Sequence, residues 1–196
     1  MPLLRKYGRP LALGLAAAAL CAGVACAQSM PLNERITLCG TCHGDDGNSR
    51  IEKLPSLAGQ PEFFLANQLV LMREGVRRSE AMAPFVKNLA DPEIEMLAKH
   101  FAGLEPKPSG EPVDPSLVKR GAELSAALHC GSCHLPTLTG QQQMPRLAKQ
   151  RVDYLIVSLK EFRDTTRPGG DTAMSANLAG TSDADLAALA HYCASF

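Results

Sequence analysis

Apolar residues recur at helical spacing in two distant stretches, Leu65, Leu69 and Met72 in one and Leu155, Leu159 and Phe162 in the other. Each run predicts an amphipathic helix just after a Pro-x-Leu segment. Two later runs behave alike. Ile94, Leu97 and Phe101 share one face of a helix predicted to have Asp91 as N-cap and Pro92 at its first position. Leu186, Leu189 and Cys193 share a face of its counterpart, capped by Ser182 or Asp183. Shorter helices are expected near residues 33–38 and 117–128. Alternating runs of β-branched residues are missing, so the pattern reads as all-α.

These segments are copies of one unit. LPSLAGQPEFFLANQLVLMREGVRR at 54–78 aligns with MPRLAKQRVDYLIVSLKEFRDTTRP at 144–168 at a constant offset of 90 residues (145 minus 55). The alignment pairs Pro55 with Pro145, Leu57 with Leu147, Gln60 with Gln150, Phe64 with Tyr154 and Arg73 with Arg163. Further on, residues 81–102 align with 173–194 at an offset of 92 (174 minus 82), which places a two-residue insertion around Gly169-Gly170-Asp171. Between the copies, Pro106, Pro108, Pro112 and Pro115 block helix continuation and favour a stiff extended connection. The chain thus divides into a leader at 1–27, a first unit at 28–102, a linker at 103–116 and a second unit at 117–196.

The leader carries Arg5, Lys6 and Arg9, an apolar stretch from Leu11 to Val24, and Ala25-Cys26-Ala27, the layout of a secretory signal cleaved after about Ala27. A retained anchor is the alternative, but the apolar run is about 15 residues where roughly 20 are needed to span a bilayer. A lipidated Cys26 is a second alternative. The expectation is export without stable membrane insertion.

Charge removes two classes of partner. Of 20 Lys plus Arg the leader takes three, leaving 17 against 20 Asp plus Glu, and no basic block remains of the kind that holds nucleic acid or anionic lipid. Composition adds a constraint: aromatics are 5% of the chain and Trp is absent, and units of under about a hundred residues usually need a metal, disulfide or cofactor as a staple.

The cysteines supply a candidate staple. Of seven, Cys21 and Cys26 fall in the leader, four form Cys39-Gly40-Thr41-Cys42-His43 and Cys130-Gly131-Ser132-Cys133-His134, and only Cys193 is left. A bare C-x-x-C serves equally as a redox dithiol or half a zinc site. The histidine after each second cysteine turns the reading toward covalent haem, because two thioether bonds need sulfurs about a helical turn apart and the adjacent imidazole then reaches the iron. An electron-transfer haem needs a second axial ligand, and Met82 and Met174 are the methionines at equivalent places in the two copies, each in a loop-like segment before a capped helix. Met144, beside Pro145, is a competitor near the second motif. The Pro55 and Pro145 carbonyls are candidate acceptors for the second ring nitrogen of His43 and His134, the alternative being prolines that only shape a loop. His100, His129 and His191 have no counterparts and read as structural. Cys193 stands where the first copy has Phe101, which suggests packing.

With these motifs in view, residues 32–195 resemble the class I cytochromes c, and the doubling is similar to the cytochrome c4 family. The resemblance implies two tandem class I domains, each wrapped around one covalently bound haem c. It also implies axial roles for His43, Met82, His134 and Met174, proline carbonyls supporting the histidines, and haems close enough for internal transfer. Arg77 and Arg167 are implied propionate contacts, with solvated helix ends as the alternative. The implied activity is periplasmic electron carriage from a quinol-oxidising complex toward a terminal oxidase, without substrate turnover. The alternative is the cytochrome subunit of a periplasmic flavin- or quinoprotein dehydrogenase. A two-haem peroxidase or thiosulfate-oxidising enzyme would need an open or unusually ligated iron. One departure stands out: Leu135-Pro136 follows His134 where the family pattern has glycine.

Overall fold

A computed structural model describes residues 30–196, and the predicted leader lies outside them. The first lobe contains α1 (Leu32–His43), α2 (Glu62–Arg73), α3 (Ala83–Val86) and α4 (Asp91–Ala102). The second contains α5 (Pro115–Ala127), α6 (Cys130–His134), α7 (Val152–Arg163), α8 (Thr172–Leu178) and α9 (Asp183–Ala194). The described residues hold no strand, only an isolated bridge between Gln141 and Met144, and none of their helices is long and apolar enough to cross a membrane. The fold is all-α.

Each lobe has its own core. Leu65, Val86, Leu89, Ile94, Leu97 and Phe101 pack together in the first, and Leu138, Leu155, Leu159, Leu178, Leu186 and Leu189 in the second. Burying each such side chain contributes about 1.5–3 kcal/mol. The helical faces read from sequence are the faces buried, since the periodic apolar residues of α2, α4, α7 and α9 supply four of the six named for each core. Helix entry differs in one detail. The N-cap of α4 is Ala90, whose N–H donates to Glu93 Oε2 at 2.8 Å, while Asp91 lies inside the first turn and pairs with Arg73 at 2.7 Å. A carboxylate in the first turn already favours the helix dipole and is free to take a cation from α2. In α9 the cap is Ser182, accepting from the Asp185 N–H at 3.1 Å.

The segment between the lobes is extended and tied down at both ends. Asn48 donates to the Glu105 carbonyl (3.1 Å) and accepts from the Lys107 N–H (2.8 Å), and Arg50 donates to the Ser109 carbonyl (2.8 Å). At the other end Glu111 accepts from the backbone N–H groups of Val152 (2.8 Å) and Asp153 (3.2 Å), so a linker carboxylate satisfies the orphan donors at the start of α7. Asp114 caps α5, which begins at Pro115.

Candidate haem sites

In the first lobe the Cys39–His43 motif forms the last turn of α1. The chain leaves it through Gly44, whose φ of 87° is open to glycine and whose absent Cβ would sit 2.4 Å from the Asn48 carbonyl oxygen. In the second lobe α5 stops at Ala127, His129 turns left-handed at φ 53°, and the motif forms its own short helix, α6. Both routes bring a histidine into the same setting. His43 is 6% exposed and its Nδ1–H donates to the Pro55 carbonyl at 2.9 Å; His134 is also 6% exposed and donates to the Pro145 carbonyl at 2.9 Å. Burial pulls both imidazoles below the ordinary histidine pKa, and the carbonyl bonds offset this only in part. A neutral ring with Nδ1–H committed to a carbonyl has its lone pair on Nε2, the form that binds iron.

The other members of the set lie as follows. Cys42 and Cys133 are exposed, while Cys39 and Cys130 are half-buried, and burial pushes the latter two thiols up. Met82 is half-buried against the first core and forms the N-cap of α3. Met174 is half-buried against the second core but lies inside α8, where its N–H donates to Asp171 Oδ1 at 3.0 Å. The loop-like setting expected for Met174 is therefore a helix, because Asp171 supplies a cap. Met144 is half-buried and occupies the Gln141 bridge. Each lobe thus offers two cysteines on the turn that presents a neutral, carbonyl-oriented imidazole, with a thioether packed against that lobe's core. That donor set fits a covalently attached haem.

Arg77 and Arg167 converge at the boundary between the lobes. With Lys53, Tyr154, Ser158 and Glu161 they line a cavity of about 170 Å³. Arg77 donates to Gln68 Oε1 at 2.6 Å, and Arg167 to Glu161 Oε2 at 2.7 Å and Ser158 Oγ at 3.3 Å. Burial pulls Arg77 below the ordinary arginine value. Burial alone would raise the Tyr154 hydroxyl, but the Arg167 and Arg77 charges beside it carry the net shift downward. Two partly buried cations sharing one cavity make it receptive to carboxylates.

Several residues at the lobe boundary had no assigned role in the sequence. Gln60 and Gln150, 4% and 2% exposed, reach into opposite lobes: Gln60 accepts from the Arg146 N–H and donates to the Arg146 carbonyl, both at 2.9 Å, while Gln150 accepts from the Ser56 N–H at 2.8 Å and donates to the Ser56 carbonyl at 2.9 Å. Arg146 is 2% exposed, donates to the Ala58 carbonyl at 2.8 Å and to the Ala148 carbonyl, and has no carboxylate partner among the described residues. Burial pulls its pKa down to about 10, so it remains charged at neutral pH. The signal for the glutamines was present in their identical repeat position. What it lacked was any sign that they point outward from their own lobe.

Comparison with known proteins agrees with this geometry. The cytochrome c family model matches residues 118–196. Cytochrome c4 of Pseudomonas aeruginosa is 34% identical over 193 residues, covering 93% of each chain. A thiosulfate dehydrogenase electron acceptor of Thiomonas intermedia is 30% identical, over 80% of this chain and 77% of that one. Among solved structures, reduced cytochrome c4 from Pseudomonas stutzeri superposes with a TM-score of 0.75 at 30% identity, covering 85% of this chain and 98% of that one. The chain belongs to the cytochrome c4 family, as an electron-transfer protein, not an enzyme, that carries two covalently bound haem c groups.

Proposed function

We propose that this protein is a periplasmic shuttle that takes electrons from a quinol-oxidising complex and passes them toward a terminal oxidase. Cys39 and Cys42 hold one haem and Cys130 and Cys133 the other, with His43 and Met82, and His134 and Met174, as the axial pairs. The observation that carries this reading is the same imidazole-to-proline-carbonyl bond of 2.9 Å in both lobes, which presets each ring as an iron ligand. The bound iron supplies a one-electron couple. The chain's part is to orient each ring, keep it neutral by burial and present a thioether, which favours the reduced state and moves the potential toward the positive end of the haem range. Arg77 and Arg167 hold propionates at the lobe boundary, where their shared cavity accepts carboxylates. The leader at 1–27 directs export and is removed after about Ala27.

A spectroscopic redox titration of the holoprotein tests this. Two haems per chain, each losing its thioether signature on Met82→Ala or Met174→Ala respectively, is the expected result. One haem per chain, unchanged oxidised spectra in the methionine variants, or rapid cyanide binding by the native protein would sink it. A second reading is favoured by the relative described as a thiosulfate dehydrogenase electron acceptor: reduction by a periplasmic dehydrogenase, as its cytochrome partner or subunit. Stable co-purification with a large catalytic subunit distinguishes it from the shuttle.

A further inference from the structure

The peptide units that support the two histidines are also the ones gripped from across the lobe boundary. The carbonyl that accepts from His43 belongs to the peptide between Pro55 and Ser56, and the N–H of that same peptide donates to Gln150 Oε1 at 2.8 Å. In the second lobe, the peptide between Pro145 and Arg146 accepts from His134 and donates to Gln60 Oε1 at 2.9 Å. Each chain of bonds therefore runs from imidazole N–H through a peptide to the side-chain amide of the opposite lobe. The two chains are related by the internal repeat, Gln60 with Gln150 and Ser56 with Arg146. Ser56 and Arg146 are 0% and 2% exposed, so water does not compete for either N–H.

We propose that Gln60 and Gln150 are crossed positioning residues, each setting the basicity of the histidine, and hence the reduction potential of the haem, in the lobe it does not belong to. An acceptor on a peptide N–H polarises that peptide and makes its carbonyl a stronger acceptor, an effect of about 10–30% per bond in a chain. A stronger acceptor on Nδ1–H gives the imidazole more anionic character, and a more basic ligand favours ferric iron. Each glutamine thus lowers the potential of the opposite haem. The glutamine bonds to Ser56 and Arg146 cross the lobe boundary, so separating the lobes would raise both potentials at once. This rests on the assignment of His43 and His134 as iron ligands.

The experiment is a redox titration of the full holoprotein with the haems resolved by NMR, comparing wild type with Gln60→Met and Gln150→Met, which keep length but lose the bonds across the boundary and, for Gln150, the one from the Arg151 N–H as well. At a fixed applied potential, Gln150→Met is expected to raise the reduced-to-oxidised ratio of the first-lobe haem by about two- to four-fold, roughly 18–36 mV at 59 mV per decade for one electron. Gln60→Met should do the same to the second-lobe haem, and each variant should leave its own lobe's haem nearly unmoved. A shift confined to the variant's own lobe, equal shifts in both, or no shift with intact His/Met spectra overturns the proposal. Failure of the ligand assignment looks different, because the wild-type spectra would then lack His/Met character before any substitution is made. Should the methionine variants not fold, Gln60→Asn and Gln150→Asn withdraw the amide by one methylene. In the reduced wild type, the Ser56 and Arg146 amide protons must exchange slowly; exchange at loop-like rates refutes the crossed bonds without any variant.

Discussion

At four equivalent turns the first lobe uses glycine, whereas the second uses residues with side chains. Gly44 (φ 87°), Gly47 (72°), Gly59 (63°) and Gly75 (71°) correspond to Leu135 (67°), Leu138 (53°), Lys149 (59°) and Thr165 (55°). The turns are the same by their hydrogen bonds: Leu57 and Ala58 N–H both donate to the Gly47 carbonyl, and Leu147 and Ala148 N–H both donate to that of Leu138. A left-handed conformation costs a non-glycine residue about 1–2 kcal/mol. The second lobe recovers part of that cost in packing, since Leu138 is 1% exposed in its core. Its first and last helices also cross more closely than α1 and α4, which meet through the Arg35–Glu93 pair at 2.7 Å. Gly121 of α5 lies so close to α9 that a Cβ would fall 2.1 Å from the Ala188 carbonyl oxygen. The two lobes share a backbone plan while drawing their stability from different places.

The sharpest break in this comparison is Gly121→Ala. Its methyl would have to displace backbone, not a flexible side chain, so α5 and α9 must separate, at a cost of about 3 kcal/mol or more. Hydrogen exchange read by mass spectrometry should show the second lobe opening while first-lobe peptides keep their protection. Equal loss in both lobes would mean that they fold as one unit. Next in size is Leu138→Gly. Relief of the left-handed turn returns about 1 kcal/mol, but an emptied core site costs about 2–5, so a net loss of about 2 kcal/mol is expected in denaturant unfolding. A gain would show that the side chain contributes nothing but strain.

A smaller and cleaner exchange isolates the backbone contribution. Nothing lies within 4 Å of a Cβ built on Gly75, and Thr165 is exposed, so substitutions there change conformation and little packing. Gly75→Thr should cost about 1 kcal/mol and Thr165→Gly should gain about the same, measured as opposite shifts in the unfolding midpoint. Shifts of the same sign would rule out strain as the difference between the lobes.

These effects mark where sequence stops being informative. Helical faces, the doubled unit and the two motifs were legible because each depends on local spacing, and the departure at Leu135-Pro136 was visible as a missing glycine. The physical form of that departure, a leucine held at φ 67°, depends on contacts distant in the chain. So do the reach of Gln60 and Gln150 across the boundary and the convergence of Arg77 with Arg167. Asp91 shows the same limit on a small scale. Its cap-like position was readable, but the pull of Arg73 from another helix was not.

The weakest expected effect probes the boundary itself. Asp153 accepts from the Lys53 N–H of the opposite lobe at 3.0 Å and pairs with Arg151 at 2.7 Å. Burial alone would raise its carboxyl, but the Arg151 bond and the Lys53 N–H carry it below the ordinary aspartate value. A carboxyl whose folded pKa lies below its unfolded value binds fewer protons when folded, so its stabilisation is present above the unfolded pKa of about 3.9 and fades as pH falls through the folded one. At neutral pH Asp153→Asn should therefore cost about 0.5–1 kcal/mol, and the gap between wild type and variant should close on acidification below pH ~4. The loss should appear as faster exchange at the Lys53 amide in the first lobe, although the substitution lies in the second. If exchange there is unchanged, Asp153 serves α7 alone, and the boundary is held by the paired glutamines and Arg146.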